Sequence, residues 1–334
     1  MEINQKQLEQ ILFLGNHNSN AYIDLNLIKK YLPDSFYIND DVLIKICISL
    51  KSGKHIILSG PPGTGKTTLA KAIVNAAKEL NLSSSNNYLT TATSDWTTFD
   101  TIGGYMPDTS NGAILKFNPG IILESIKNKS WIIIDELNRS DIDKSIGQLF
   151  SILSDKDIET TLPFKHNNTK IKISYGELPS DNFNYYISSS WKIIATINDL
   201  DKFSLYDISY ALLRRFAVID VGIPNDDEFK NMFTNIINNK FDTALSNTII
   251  DNILQIQSIC ANVRRLGPSI YIDLLNYIYE AHYEFEQSYK KALSQAIDIF
   301  ILPQIVGQDD DDSIGHEINA FLEGIAKKDE DDNV

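Results

Sequence analysis

Apolar residues follow two different spacings along this chain, and the change from one to the other divides it into two parts. In the first part, short runs of mostly apolar residues predict strands buried on both faces of a parallel sheet. The runs lie at residues 55–58, 88–93, 131–134, 191–198 and 217–221. Apolar residues every three or four positions predict intervening helices at 40–50, 66–80, 121–127, 141–153 and 205–213. This alternation predicts an α/β fold.

Helical spacing alone continues after residue 224. Apolar faces recur at residues 229–237, 249–259 and 270–285, and strand-like runs are missing from this part of the sequence. We therefore predict a helical lead-in at residues 1–40, an α/β domain at 41–223, an α-helical domain at 224–325 and an acidic tail at 326–334.

Two segments interrupt the α/β pattern. Turn residues at 103–107 and 110–112 predict a small β-hairpin, and alternation at 158–164 and 170–174 predicts a second one within a β-rich insertion at 156–188. Four lysines of these insertions could contact a phosphate backbone, although solvated loop lysines are the simpler interpretation. They are Lys116, Lys165, Lys170 and Lys172.

Composition narrows the class of protein. Hydrophobic residues make up 43% of the 334 residues, which is enough for sizeable cores. The net charge of −14 argues against a surface that coats nucleic acid, but it does not exclude a local basic channel. The sequence has no apolar run near 18 residues, the length of a membrane span, and no signal-peptide pattern. Its two cysteines and five histidines lack the spacing of metal ligands. We expect a cytoplasmic protein without a membrane span or structural metal.

The strongest chemical signal lies at residues 55–69. Gly60, Gly65, Lys66 and Thr67 match G-x-x-x-x-G-K-[ST] between a predicted strand and a predicted helix. Glycines let backbone N–H groups curl around phosphate oxygens, and the helix N-terminus adds positive potential. Lys66 is expected on the β- and γ-phosphates and Thr67 on Mg²⁺. A chance glycine turn is the alternative. The predicted nucleotide site comprises Gly60, Pro61, Pro62, Gly63, Thr64, Gly65, Lys66, Thr67 and Thr68.

Two other predicted strands end in polar residues. Asp135 and Glu136 follow the apolar run at 131–134, and Asn198 ends the run at 191–198. Ligands of open α/β sheets bind at the carboxyl ends of the strands. We predict that Asp135 helps to hold Mg²⁺, that Glu136 polarises the attacking water and that Asn198 helps to position that water. A helix-capping acidic pair is the alternative for Asp135 and Glu136.

In this order, the motifs resemble an AAA+ ATPase. Four segments are similar to the dynein-related branch, which holds McrB-type restriction motors and MoxR-type chaperones. They are Ile-Asp-Glu-Leu-Asn-Arg-Ser at 134–140, Ala-Thr-Ile-Asn at 195–198, Tyr-Ala-Leu-Leu-Arg-Arg-Phe at 210–216 and Leu-Pro-Gln at 302–304. The resemblance covers residues 40–325. It implies a P-loop parallel sheet of order 5-1-4-3-2, a C-terminal helical lid, and a ring, usually a hexamer, with nucleotide at the subunit interfaces. The two inserted hairpins fit the helix-2 and pre-sensor-1 inserts of that branch.

The resemblance also implies roles for arginines. Arg214 and Arg215 would reach into the neighbouring subunit's site as trans fingers, without a choice between the two; ordinary surface ion pairing is the alternative. Arg264 and Arg265 precede a predicted helix start, about where the lid would contribute a second-sensor arginine. We include Arg265 in the predicted nucleotide site, with Arg264 as the alternative, although the Ser-Pro-Arg sequence of MoxR-type proteins is absent.

One departure bears on the nucleotide. McrB-type motors prefer GTP and carry Asn-Thr-Ala-Asp at the first sensor, whereas residues 198–201 here are Asn-Asp-Leu-Asp. We therefore expect ATP, with Mg²⁺, as the cofactor.

Three functions remain open at the level of the sequence. The first is an ATP-hydrolysing, McrB-like ring motor that drives a separate nuclease or adaptor subunit, McrC-like, in a restriction or anti-phage system. DNA would be reached only through that assembly, because the sequence has no room for an N-terminal DNA-reading domain. The second is a MoxR-type ATPase chaperone that remodels or matures a protein complex. The third is a nucleotide-gated switch or scaffold, against which the presence of Glu136 and Asn198 argues.

Overall fold

The computed structural model describes residues 22–108, 114–166, 168–198, 210–262, 264–305 and residue 320. The described strands are β1 (His55–Gly60), β2 (Tyr88–Thr91), β3 (Gly103–Asp108), β4 (Ile114–Pro119), β5 (Ile132–Asp135), β6 (Thr160–His166), β7 (Thr169–Tyr175), β8 (Asn184–Ile187), β9 (Ile193–Asn198) and β10 (Phe216–Asp220). The described α-helices are α1 (Leu25–Lys30), α2 (Asp40–Lys51), α3 (Lys66–Glu79), α4 (Thr98–Thr101), α5 (Ile121–Lys127), α6 (Ile142–Ile146), α7 (Phe150–Ser154), α8 (Tyr210–Leu213), α9 (Asp226–Lys240), α10 (Thr243–Ala261), α11 (Pro268–Tyr279), α12 (Tyr289–Ala296) and α13 (Leu302–Ile305).

Five of the described strands form one parallel sheet in the order β10-β1-β9-β5-β2. Numbered among these core strands alone, the order is 5-1-4-3-2. In this register Gly60 lies opposite Asn198, and Thr91 lies opposite Asp135. The predicted α/β class is confirmed, and the sheet brings the polar strand ends to one edge.

The core strands are buried on both faces. Ile57 and Ile134 belong to a hydrophobic cluster on one face that includes Trp191, whereas Ile56 and Leu58 belong to a second cluster with the inner side of α3. Because successive strand residues point to opposite faces, covering both faces requires consecutive apolar residues. The burial of both faces of the sheet therefore explains the uninterrupted apolar runs in the sequence.

The two insertions are β-structures, and the second has three strands, whereas a two-stranded hairpin was predicted. The first is the predicted hairpin, in which β3 and β4 pair antiparallel. The second contains the predicted hairpin of β6 and β7, and β8 joins β7 as a parallel third strand that was not predicted. The four residues of β8 follow a polar turn in which Asp181 Oδ1 accepts hydrogen bonds from the N–H groups of Phe183 and Asn184, both at 2.6 Å. A strand of four residues next to such a turn is too short to show a clear alternation of apolar and polar residues in the sequence.

The helix predicted over residues 141–153 is broken, so its predicted continuity is wrong. It consists of α6, a 3₁₀ turn (Gly147–Leu149) and α7. Ile146 leaves the helical region with φ −125° and ψ 3°, immediately before Gly147, a residue that favours helices poorly. Leu149 and Ile152 nevertheless remain fully buried, because both belong to the hydrophobic cluster that includes Trp191.

Helices α9 to α13 pack around a separate hydrophobic cluster that includes Phe229, Tyr271 and Leu293. Two π-helical turns, Glu280–Glu284 and Ile297–Ile301, extend α11 and α12. The acidic tail and most of the predicted lead-in lie outside the described residues, and the predicted domain boundaries stay predictions. Among the described helices, none is long and apolar enough to cross a membrane.

Candidate nucleotide-binding site

The loop between β1 and α3 has the backbone conformation that a phosphate site requires. Gly60, Gly63 and Gly65 adopt φ angles of +148°, +78° and +81°, which side-chain-bearing residues rarely adopt. A Cβ on Gly65 would lie 2.3 Å from the ring of Phe36, and a Cβ on Gly60 would lie 2.3 Å from the carbonyl oxygen of Val221. Gly65 is the N-cap of α3 and makes no side-chain capping bond, so the positive end of the helix opens onto the loop.

Lys66 is held inside this loop. Its side chain is buried, and its Nζ donates to the carbonyl oxygens of Gly60 at 2.7 Å and Pro61 at 2.6 Å. Thr64 Oγ1 donates to the same Pro61 oxygen at 3.1 Å, which tightens the turn. The ammonium group therefore lies among the loop's main-chain atoms, as expected of a lysine that neutralises phosphates.

Three elements converge on the carboxylate of Asp135 at the end of β5. Thr67 Oγ1, from α3, donates to Asp135 Oδ1 at 2.8 Å, and Thr196 Oγ1, from β9, donates to the same oxygen at 2.5 Å. Hydroxyl and carboxylate oxygens are the ligands that Mg²⁺ prefers. The residues present therefore fit a Mg²⁺ ion that accompanies a nucleotide, and Thr67 and Asp135 are the residues that would hold it.

Glu136 has an unusual backbone and a tightly held side chain. Its φ of +54° is left-handed, a conformation that is uncommon for non-glycine residues and that clusters at functional sites. Its N–H donates to Thr196 Oγ1 at 3.0 Å. Asn198 Nδ2 donates to one carboxylate oxygen at 3.2 Å, and Arg139 Nε lies 2.7 Å from the other. The carboxylate is thus oriented from both sides.

These groups line one cleft of about 310 Å³. Its lining residues are Pro62, Gly63, Gly65, Lys66, Thr67, Thr68, Asp135, Glu136, Thr196, Asn198 and Ser269. Most of the predicted phosphate-loop residues are among them, together with Asp135, Glu136 and Asn198. The sequence analysis missed Thr196, Ser269 and the contact of Arg139 with Glu136. The sequence did contain a signal for Thr196 and Arg139, because they lie in the family-like segments at 195–198 and 134–140. Ser269 lies in none of these segments.

The start of α11 closes one side of the cleft. Ser269 N–H donates to the carbonyl oxygen of Gly63 at 3.1 Å. A Cβ on Gly267 would lie 2.5 Å from the carbonyl oxygen of Pro62 and 2.4 Å from the carbonyl carbon of Gly63. The helical region and the phosphate loop therefore meet backbone to backbone, which only a glycine at 267 permits.

We expect Gly267→Ala to weaken nucleotide binding by about 1–3 kcal/mol, or roughly 5- to 150-fold in Kd, because the added methyl group must push α11 away from the loop. Gly147→Ala is the matched control, since a Cβ there meets no atom within 4 Å. Calorimetric titration with ADP measures the affinities, and thermal unfolding verifies that both variants fold. Equal affinities in the two variants would show that the contact does not shape the site.

The two arginines of the predicted finger have different surroundings. Arg215 Nε donates to the carbonyl oxygen of Phe150 at 2.5 Å, and its guanidinium lies 4.9 Å from the centre of the Phe150 ring. Desolvation by burial, followed by the charge of Arg214, lowers the pKa of Arg215. The side chain of Arg214 is exposed. Neither arginine is among the described residues that line the cleft.

Arg265 lies on the outer surface of the helical region. Its Nη2 is 3.4 Å from Asp226 Oδ1, and its side chain is about half exposed. It does not line the cleft in the described part of the chain, whereas Ser269, four residues later, does. A sensor role for Arg265 stays a prediction.

Comparison with known protein families identifies the domain that contains this site. The family model described as an AAA domain of the dynein-related subfamily matches residues 55–216. This match is confined to residues 55–216, which form the dynein-related AAA domain of the chain. The match runs from β1 to the first residue of β10, so it contains the phosphate loop, Asp135, Glu136 and Asn198. The resemblance to AAA+ ATPases is confirmed.

Individual proteins that resemble this chain share between 15% and 35% of their residues with it over the matched regions. Over 252 residues, the chain is 27% identical to the type IV methyl-directed restriction enzyme EcoKMcrB subunit of Escherichia coli (strain K12); the match covers 71% of this chain and 48% of that subunit. Over 90 residues, it is 35% identical to midasin of Dictyostelium discoideum, which covers 25% of this chain and 1% of midasin. A crystal structure of a candidate ATPase from Cytophaga hutchinsonii matches with a TM-score of 0.40 and 15% identity, over 91% of this chain and 92% of that one. The chain therefore spans about half or less of the curated relatives named here.

Proposed function

We propose that this chain is an ATP-hydrolysing subunit of a ring-shaped AAA+ motor. The proposal rests above all on the Glu136 carboxylate, which Asn198 and Arg139 orient beside Lys66, Thr67 and Asp135 in the cleft. A protein that only binds nucleotide needs the loop and its lysine, but it does not need an oriented carboxylate next to the phosphates. ATP rather than GTP is proposed because the first-sensor segment departs from that of McrB-type motors.

In the proposed reaction, each residue has one task. The N–H groups of the loop and Lys66 bind the phosphate oxygens, and Thr67 and Asp135 would hold the Mg²⁺ that accompanies the nucleotide. When bound, that ion supplies charge neutralisation. Glu136 accepts a proton from the attacking water, whose oxygen bonds to the γ-phosphorus while the bond to the β–γ bridging oxygen breaks. Asn198 and Arg139 keep Glu136 in place.

A neighbouring subunit would complete the site. Neither Arg214 nor Arg215 is among the described residues that line the cleft. Arg215 is bound to Phe150, so we assign the trans finger to the exposed Arg214. An arginine supplied in trans neutralises charge on the transferring phosphoryl group and contributes roughly 10³–10⁵ in rate. This assignment also requires a ring, for which a hexamer is the proposed form.

For the biological role, we propose a motor that drives a separate nuclease subunit in a restriction or anti-phage system. The support is the similarity over 71% of the chain to the EcoKMcrB subunit of a restriction enzyme. The segments at 134–140 and 302–304 add to it. DNA would be reached through the nuclease or another subunit of the assembly.

Affinity capture with Glu136→Gln tests this role. This variant is expected to bind ATP and hydrolyse it poorly, so it should hold the assembled state. Tagged protein expressed in its native host and purified in ATP and Mg²⁺ is expected to bring down a nuclease subunit, identified by mass spectrometry. Lys66→Ala, which should not retain ATP, is the control and should lose this partner. Recovery of a metalloprotein or other client without a nuclease would replace the restriction motor by a remodelling chaperone.

A further inference from the structure

The two insertions of the AAA domain are fastened to each other. The Tyr105 hydroxyl, on β3, accepts a hydrogen bond from Lys165 N–H at 2.8 Å and donates one to Lys165 O at 3.0 Å, on β6. The rings of Tyr105 and Phe117 both pack against Phe164, with centroids 5.8 Å and 5.2 Å away. The hairpin and the three-stranded sheet therefore form one unit, although about 40 residues of core structure separate them in sequence.

A cavity of about 520 Å³ lies between them, which makes it larger than the nucleotide cleft. It is lined by Met106, Pro107, Lys116, Phe117, Asn118, Pro119, Lys127, His166, Asn182 and Tyr185. None of these residues belongs to the lining of the nucleotide cleft. The volume is within the range of small-molecule sites, and the fastened insertions fix its walls.

The lining is basic although the chain is acidic. The lining contains three basic side chains: Lys116 from β4, Lys127 from the end of α5 and His166 from the end of β6. It also contains the side-chain amides of Asn118 and Asn182. Among the described residues that line the cavity, none carries a carboxylate, in a chain with 44 acidic and 30 basic residues. Several nitrogen donors that surround one open volume are suited to a compact anion.

Two carboxylates, those of Asp181 and Glu124, lie near the lining without belonging to it. Asp181 turns its Oδ1 to the N–H groups of Phe183 and Asn184, and these hydrogen bonds, with a smaller contribution from Lys127, lower its pKa. Burial, with smaller contributions from Asp181 and Glu124, raises the pKa of Tyr185 to about 12, so the Tyr185 hydroxyl keeps its proton near neutral pH.

The lysines of the two insertions differ in whether they face the cavity. Lys172 is paired with Glu159 at 2.7 Å. Lys165 and Lys170 are directly opposite in the β6–β7 pair, so they share a face. Since His166 follows Lys165 in the strand, it points to the other face, where the cavity is. Of the four lysines in the predicted hairpins, Lys116 alone lines the cavity, and Lys127 of α5 joins it.

We propose that this cavity binds a phosphate ester, with Lys116 and Lys127 as its cationic donors and the imidazole of His166 as a further nitrogen donor. Its ligand is the phosphate of a free nucleotide or of a nucleic-acid strand, which present the same chemistry. The site is separate from ATP hydrolysis and would place a phosphate-bearing ligand on the insertions of the AAA domain.

The test compares two double variants that lose the same charge. Lys116→Gln/Lys127→Gln changes the cavity, and Lys165→Gln/Lys170→Gln changes the opposite face of the neighbouring ribbon. Each is made in full-length protein that also carries Lys66→Ala, and again in the native background saturated with ADP and Mg²⁺, so that the phosphate loop does not contribute. Pyrophosphate and AMP are titrated by calorimetry, and a fluorescent 12-nucleotide oligo-dT strand is titrated by anisotropy.

The cavity variant is expected to raise the Kd of at least one probe about tenfold or more, because each lysine supplies a charge-assisted bond, while the control variant shifts it less than about twofold. Binding of pyrophosphate or AMP identifies a free nucleotide as the source, and binding of the strand alone identifies nucleic acid. Equal weakening by both variants would reduce the effect to general surface charge and overturn the proposal, as would no saturable binding of any probe.

Discussion

Replacing Glu136 by Gln is expected to lower the turnover of ATP by about 10²–10⁴-fold, because the side chain that accepts the proton of the attacking water is lost. Glutamine keeps the shape of the side chain and an oxygen for Asn198 Nδ2, but it cannot accept that proton or form the ion pair with Arg139. Nucleotide binding should change little, since the loop, Lys66 and Thr67 stay intact.

Stopped assays of phosphate release measure the turnover of this variant, and equilibrium titration with a fluorescent ATP analogue measures its affinity. Asp273→Asn, which removes one negative charge from an exposed position of α11, is the control and should keep the native rate. A Glu136→Gln protein that hydrolyses ATP at the native rate would mean that another group activates the water.

Arg214→Ala is expected to lower the turnover of the assembled ring by roughly 10³–10⁵-fold, because the exposed guanidinium would reach the phosphates of the neighbouring subunit. Arg215→Ala has a different expected result. Its guanidinium binds Phe150 within the same subunit, so its loss should reduce the free energy of unfolding by about 1–3 kcal/mol.

Mixing two inactive variants distinguishes an arginine that acts in trans from one that acts in cis. Arg214→Ala subunits keep Glu136, and Glu136→Gln subunits keep Arg214, so mixed rings contain some interfaces with both groups intact. Phosphate release by the mixture is therefore expected to exceed that of either variant alone. A mixture as inactive as its components, although the subunits exchange, would place Arg214 outside the neighbour's site.

The core of the site was predictable because its chemistry uses neighbouring residues. Lys66 and Thr67 follow the glycines of one loop, and Asp135 and Glu136 follow one buried strand. A match to such a pattern fixes both the residue types and their elements. The parallel sheet was predictable for a similar reason, since strands covered on both faces need uninterrupted apolar runs.

The rest of the site depends on contacts between distant segments. Ser269 reaches the cleft only because α11 packs against Gly63, about 200 residues earlier in the chain. Thr196 acts through β9 lying beside β5, and its place in the family-like segment at 195–198 does not by itself show that its hydroxyl binds Asp135. The strand β8 and the break at Gly147 also follow from local turns and tertiary packing, which periodicity does not record.

Phosphate release from ATP by the purified protein with Mg²⁺, measured beside Lys66→Ala, tests the central claim most directly. The native protein is expected to hydrolyse ATP, faster than GTP, with a rate per subunit that rises with protein concentration as rings form. Lys66→Ala should bind no nucleotide and release no phosphate, because its buried ammonium group is the charge at the centre of the loop. A native protein that shows no hydrolysis at any concentration, or a Lys66→Ala protein of equal activity, would contradict the account.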